Sequence, residues 1–337
     1  MLDEKVVRKL GETVDRLITT DILARGAIGS IYKNARKHFP EDPLTYRAAE
    51  GLTRSIDNGD TVFITTGCTY PGLNAGETDG PIGAASLARA LCISLNAKPI
   101  IVVEKMYETM MLHTLRGIGL NVLPFKSAQR YERVATIMEF PKGNEKDRSK
   151  ELIEKFDPKA VISIERIGKN RKGVYHNMSG FDISECTAEI DVLIEEAKNQ
   201  KILTVGIGDG GNEVGMGEVV ETVKKEVTYG ERCQCPCKGG IACITETDIL
   251  VPASVSNWGA HGIATVLAGK KENMDILHDS TYELRAIREC VDAGGVGMDG
   301  SPYPGSFCDD LPDTIHAQIV EFLRYSVKGA LTRRYEG

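Results

Sequence analysis

Apolar residues recur at three- and four-residue spacing through EKVVRKLGETVDRLI, GAIGSIYKNARKHF and LTYRAAEGLTRSI, which predicts helices and no strand within residues 1–58. From Asp60 the texture changes. TVFITTG, PIIVVE, LNVLPF, AVISIER, ILTVGIG and TDILVPAS are short β-branched runs, most of them separated by helical stretches. Near-continuous apolar runs are what parallel strands look like when both faces of the sheet are covered. The stretch ISECTAEIDVLIEEAKNQ adds a predicted helix, with Ile183, Cys186, Ile190, Leu193, Ile194 and Ala197 on one stripe and Asp182 and Glu185 placed to cap it. The alternation predicts a three-layer, doubly wound, Rossmann-like α/β domain over residues 59–337 with a mostly parallel sheet. An N-terminal helical segment, residues 1–58, packs on it.

The glycines gather where the strands end, and in open α/β sheets that is where ligands bind. The loop after TVFITTG holds Glu77, Thr78, Asp79 and Gly80. Asp79 suits a helix N-cap and Pro81 the first turn, and Gly76, Gly80 and Gly83 allow close backbone approach. Such a helix start offers N–H groups to a carboxylate or phosphate, but no Gly-Lys-Ser/Thr follows, so this is not a Walker A loop. The loop after AVISIER begins with Glu165 and Arg166, the latter suited to a bidentate grip on a carboxylate. Lys169, Arg171 and Lys172 read as a solvated run, and Tyr175, His176 and Asn177 follow.

In GIGDGGNEVGMGE, Gly206, Gly208 and Gly211 fit the dinucleotide fingerprint. Asp209 and Glu213 flank Gly210, Gly211 and Asn212, however, and would meet a pyrophosphate with two negative charges. A cationic guest, an ammonium group or a divalent metal, fits this loop better; a Gly-rich turn capped by the two acids is the structural alternative. Cys233, Cys235, Cys237 and Cys243 supply four thiols for Zn²⁺ or an iron–sulfur cluster, although zinc ligands are more often spaced CxxC. Thiols on a mobile loop are the competing reading. Ser256 and Asn257 open a helix after a strand, Trp258 and His261 read as packing residues, and GGVGMDGSPYPG carries Asp299.

Composition narrows the function classes. Of 337 residues, 42% are apolar and 26% charged, the ordinary globular mix. With 41 basic against 48 acidic residues the net charge is −7, and without a basic block neither nucleic acid nor an anionic membrane is an expected partner. No apolar run approaches a membrane span. The opening MLDEKVVRKL has no signal-type apolar stretch, so a cytoplasmic location is expected. Nine scattered cysteines suit reduced thiols.

Taken in order, GETDGPIGA, ERIGKNRKGVYHN, GIGDGGNEVGMG, IACITETDILV, SVSNWGAHG and VGMDGSP resemble the C-terminal domain of the D-glutamate cyclase family, from about Asp15 to the final helix. Cys243 belongs to the family pattern, whereas the CQCPC run does not. The resemblance implies a lyase that closes D-glutamate, or a close relative, to 5-oxo-D-proline with loss of water. In the animal enzyme this domain follows a hydro-lyase-like domain, so a separate partner of that kind, or a homo-oligomer, is also expected. The reaction needs a proton acceptor for the ammonium, a donor for the departing oxygen and a grip on the carboxylates. Asp209 or Glu213 would be the base and Glu77 or Asp299 the acid. Arg166 would hold a carboxylate, and the N–H groups of residues 79–83 or 256–258 would hold the oxyanion. Thr78, Asp79, Gly80, Glu165, Tyr175, Asn177, Gly210, Gly211, Asn212, Ser256 and Asn257 complete the expected substrate-binding set. The scheme requires no cofactor. Two rivals are a nucleotide- or NAD-dependent enzyme using the GIGDGG loop and a non-catalytic amino-acid-binding module.

Overall fold

In the computed structural model, which describes residues 2–73, 75–297 and 305–332, the β-branched runs pair side by side. The long strands are β1 (Thr61–Gly67), β4 (Lys98–Val103), β6 (Val134–Glu139), β7 (Ala160–Arg166), β8 (Leu203–Gly208) and β9 (Ile249–Pro252); β5 (Asn121–Val122) is a two-residue edge. Two short antiparallel ribbons stand apart: β2 (Thr69–Tyr70) with β3 (Ala75–Gly76), and β10 (Phe307–Cys308) with β11 (Leu311–Pro312). The sheet runs β5-β6-β4-β1-β7-β8-β9 and every pairing in it is parallel.

Period-two burial explains the unbroken apolar runs. Val62 and Ile64 of β1 face one core with Ile162, Ile164, Val205 and Ile207, while Phe63 between them faces the other with Ile100, Val102 and Val161. The helices on the first face include α4 (Pro81–Leu95) and α10 (Ser256–Lys270); α7 (Glu145–Phe156) and α8 (Asp191–Asn199) cover the second. This is the three-layer arrangement expected from the sequence. α10 is buried from Ser256 to Gly269 because it is itself covered by α1 (Glu4–Ile18), α3 (Leu44–Ser55) and α12 (Asp313–Thr332). Val7, Leu10, Val14 and Ile18 of α1 therefore join the same core as the sheet. Asp15 fixes the helical segment internally: its buried carboxylate accepts the N–H of Leu44 at 2.7 Å and of Thr45 at 3.1 Å, capping α3, whose own Pro43 has no side-chain acceptor. Among the described residues no helix is long and apolar enough to cross a membrane.

Two elements depart from expectation. β6 is not expected from the sequence: it holds Val134, Thr136 and Ile137, but its second half turns toward solvent and interrupts the apolar run. The helix expected over residues 183–200 is broken: a 3-10 turn, Ser184–Cys186, precedes α8, which starts only at Asp191. The break has a cause. At Ala188 the N–H donates to Glu104 at 3.0 Å and the carbonyl accepts from Arg166 at 2.8 Å, so side chains take the bonds a helix would use.

Candidate functional site

In the sheet, β1 and β7 are neighbours whose onward connections run to opposite sides, and this switch point is where the carboxyl ends open a crevice. A pocket of about 560 Å³, counting its open mouth, lies there, lined by Cys68, Thr69, Tyr70, Glu77, Asp79, Glu165, Asn177, Met178, Ser179, Asp209, Asn212 and Asp309. Five carboxyl groups thus face one small space.

Local backbone chemistry puts them there. Glu165 is the extra residue of a bulge, since Ile164 pairs with Thr66 and Arg166 with Gly67; its φ of +44° is a strained left-handed conformation for a non-glycine. Bulges re-aim side chains, and this one sends the Glu165 carboxylate to the pocket, where it accepts the Ser256 hydroxyl at 2.6 Å. Asp309 and Asp310, with φ of +48° and +61°, form the two-residue apex of the β10–β11 ribbon, both positive as a type I′ turn requires. Asp309 is held by Arg25, whose guanidinium spans both carboxylate oxygens at 2.8 and 2.7 Å and also reaches Asp209 at 3.3 Å.

The electrostatics follow from crowding. Oxygens of Asp79, Glu165 and Asp209 all lie within 4.8 Å of one another. Buried like charges cannot all stay ionised. Burial first, then the neighbouring acids, pushes Glu77, Glu165 and Asp209 well above the carboxylate range. Asp79 rises to about 7: burial and Asp309 push it up, against N–H bonds from Asn257, Ser256 and Gly80 that favour the charge. Burial and crowding thus favour the protonated carboxyls of this pocket over their carboxylates. It also holds an orphan acceptor. Asn212 is buried, its Nδ2 donates to the His176 carbonyl at 2.8 Å, and its Oδ1 has no hydrogen-bond partner among the described residues.

The sequence-predicted residues divide sharply. Glu77, Asp79, Glu165, Asn177, Asp209 and Asn212 converge on the pocket. Glu213 does not line it. Its buried carboxylate accepts the N–H of Asp209 at 3.1 Å, of Gly210 at 2.7 Å and of Gly211 at 2.7 Å. The GIGDGG loop is thus an anion nest filled by the chain's own carboxylate, where a dinucleotide would need to seat its pyrophosphate. Arg166 is fully buried in a bidentate pair with Glu104 at 2.8 and 2.6 Å, so the expected grip on a ligand carboxylate is replaced by a structural clamp. Tyr175 likewise turns inward, donating to Asp191 at 2.5 Å. Thr78 donates its hydroxyl to the Phe307 carbonyl at 3.0 Å.

The expected oxyanion donors are also engaged. The N–H groups of Ser256 and Asn257 donate to Asp79, and those of Gly80 and Gly83 to Asn257. Asp299 lies outside the described residues. Trp258 and His261 are buried as packing residues should be, each with a polar partner: His316 for the indole, Ser86 and Glu283 for the imidazole. Lys169 and Arg171 pair with Glu195 and Glu231 at the surface.

Cys243 parts from the other thiols. It is fully buried, accepts the Thr245 N–H at 3.3 Å, and occupies the space that any side chain at Gly168 would fill. His176 takes its place beside Cys233, Cys235 and Cys237.

Sequence reasoning missed Arg25, Asp309, Cys68, Thr69, Tyr70, Met178 and Ser179. The Asp-Asp pair between FC and LP was a legible turn signal; nothing in the sequence around Arg25 points to a site 284 residues away.

Comparison with known proteins bears out the resemblance. A family described as D-glutamate cyclase-like, C-terminal, matches residues 15–324. The Homo sapiens protein named D-glutamate cyclase, mitochondrial, is 30% identical over 269 residues, covering 77% of this chain. That alignment covers 39% of the human protein, so the chain spans about two-fifths of the length of this relative.

Proposed function

The chain belongs to the D-glutamate cyclase-like C-terminal family, and on that membership and the acidic pocket we propose that it binds D-glutamate or a close relative and closes it to 5-oxo-D-proline and water. The observation that carries the reading is the proton-holding cluster of Asp79, Glu165 and Asp209 beside the unpartnered Asn212 Oδ1. An ammonium group adds positive charge to this acidic cluster, and its N–H satisfies the orphan oxygen. Its arrival favours ionisation of Asp209, which then accepts a proton from it. The uncovered lone pair attacks the γ-carboxyl carbon in the same molecule, so holding the folded conformer supplies the proximity. A C–N bond forms and a C–O bond breaks. The departing oxygen takes up two protons, one that the nitrogen gives up as the ring closes and one from a neutral carboxyl, Glu77 in this scheme. The proton taken by Asp209 then returns to Glu77, so two protons pass from nitrogen to the leaving water. Arg25 at the pocket's edge, instead of the buried Arg166, faces the substrate's remaining carboxylate.

The test is a single incubation with D- and with L-glutamate, following loss of primary amine and gain of the lactam. Turnover of either, abolished in a folded Asp209→Asn variant, supports the reading. A ligand-induced thermal shift with no lactam formed would make the chain a binding module and overturn it.

A further inference from the structure

We propose that His176, Cys233, Cys235 and Cys237 form a site for one tetrahedrally coordinated Zn²⁺ that fastens a wall of the acidic pocket. The assignment is independent of the reaction the pocket performs. It begins from geometry. Cys233 Sγ lies 3.5 Å from Cys235 Sγ and 3.3 Å from Cys237 Sγ, and His176 Nε2 lies 3.2 Å from Cys235 Sγ and 3.6 Å from Cys237 Sγ. All four atoms fall within 4.8 Å of one another. A tetrahedral zinc ion with Zn–S of about 2.3 Å and Zn–N of about 2.0 Å places its donors roughly 3.5–3.8 Å apart. The observed edges need only a few tenths of an ångström of expansion. A space this small encloses one ion and not a cluster of irons, and all nine cysteines are unbridged thiols.

The surroundings are those of a ligand set. His176 Nδ1 sits 3.2 Å from the Val174 carbonyl, which can only accept, so Nδ1 carries the proton and the Nε2 lone pair points at the sulfurs. Cys237 Sγ accepts the Gly239 N–H at 3.3 Å and the Asn170 amide at 3.6 Å, donors that favour thiolate over thiol. His176, Cys233 and Cys235 are buried, so the site is closed and leaves little room for water as a ligand. A closed Cys₃His set is the structural kind of zinc site.

Its position gives it a purpose. Asn177, Met178 and Ser179, immediately after His176, line the pocket, and the His176 carbonyl receives Asn212. The cysteine loop is tied to the same turn through Gln234, whose N–H donates to the Gly180 carbonyl at 3.0 Å and whose side chain donates to the Ser179 carbonyl at 2.7 Å. One ion thus joins two loops that share no regular secondary structure.

The test uses the untagged 337-residue chain, expressed with zinc supplementation and purified without chelator. Elemental analysis is expected to find one zinc per chain, and X-ray absorption three sulfurs and one nitrogen around it. Cys235→Ser and His176→Asn should each lower bound zinc at least about tenfold in competition with a chromogenic chelator, while Cys243→Ser should keep it. Should the variants fail to fold, chelator-stripped wild-type chain titrated with Co²⁺ decides the matter through its thiolate charge-transfer and tetrahedral ligand-field bands. Wild-type chain that takes up neither zinc nor cobalt, with its cysteines reacting at once with a thiol reagent, overturns the proposal. So does a shell of four sulfurs, or loss of zinc on replacing Cys243 but not His176.

Discussion

Asp79 and Asn257 cap each other's helices. The Asp79 carboxylate accepts the N–H of Ser256 at 2.9 Å and of Asn257 at 2.8 Å, at the start of α10. The Asn257 side-chain oxygen accepts the N–H of Gly80 at 2.9 Å and of Gly83 at 2.6 Å, at the start of α4. Neither helix has a capping side chain of its own at the preceding residue, Val255 or Gly80. The two helix starts can approach this closely because a Cβ at Gly83 would stand 2.9 Å from the Asn257 backbone. The exchange fixes the floor of the pocket.

Asn257→Ala leaves the buried Gly83 N–H without its acceptor, at ~1–3 kcal/mol, while the Gly80 N–H keeps the Asp79 carboxylate at 2.9 Å. The expected loss of stability is about 1–3 kcal/mol by urea unfolding at neutral pH. A loss under about 1 kcal/mol would show that water replaces the amide and that the exchange is incidental.

Glu213 and Asp209 should separate cleanly. Glu213→Gln turns an amide toward N–H groups that all need an acceptor, so stability should fall by roughly 2–3 kcal/mol. Asp209→Asn breaks only a contact to Arg25 and should leave the melting temperature no lower than the parent's while turnover drops at least ~100-fold. The opposite pattern would return the catalytic assignment to Glu213.

Stability should also respond to pH through Asp209. Its folded pKa is raised above the unfolded value of 3.8, so the native state holds a proton that the unfolded chain has already released. Its contribution is intact below 3.8 and is lost as pH rises toward the folded pKa. Replacing it with asparagine removes that dependence. The unfolding free energy of Asp209→Asn relative to the parent should therefore improve steadily as pH is raised from acid to neutral. A flat difference would mean the carboxyl is already ionised in the native protein.

Arg25 should matter through charge and shape together. Arg25→Ala removes a bidentate partner of Asp309 and, under the proposed function, the cation that would face the substrate carboxylate. At ~1.5–3 kcal/mol per charged hydrogen bond, KM should rise about 10- to 100-fold. Arg25→Lys should recover only part of this, since an ammonium cannot span both oxygens. Full recovery would make the contact purely coulombic.

The fold was legible wherever a strand is covered on both faces. β1 and β7 were readable to the residue because every position in them is buried. β6 was not, because its last residues leave the core. Within the site, acids placed after strands were found by position: Glu77, Asp79, Glu165 and Asp209 all belong there. Position alone could not say which way a side chain turns. The bulge at Glu165 sends that acid to the pocket and leaves its neighbour Arg166 to clamp Glu104, an outcome that strand periodicity does not encode. The return of Glu213 to the N–H groups four, three and two residues before it is equally invisible to a motif that looks for phosphate. His176 was passed over because a ligand set was sought among the four thiols from Cys233 to Cys243, and folding brings a histidine from 57 residues earlier than Cys233 beside three of them.

The pairing of Arg25 with Asp309 has a bearing on synthesis. The ribosome releases Arg25 early and Asp309 some 284 residues later, when the whole parallel sheet has already emerged. Domains begin to organise while translation continues. The sheet and the core under α7 and α8 can therefore assemble around a crevice that still lacks one acidic wall and the partner of its arginine, while the other core waits for α12 as well. Chains arrested before the last ribbon should hold a formed sheet with one core and the pocket both unfinished, and the competence to hold a ligand arrives as one of the last events in the life of the nascent chain.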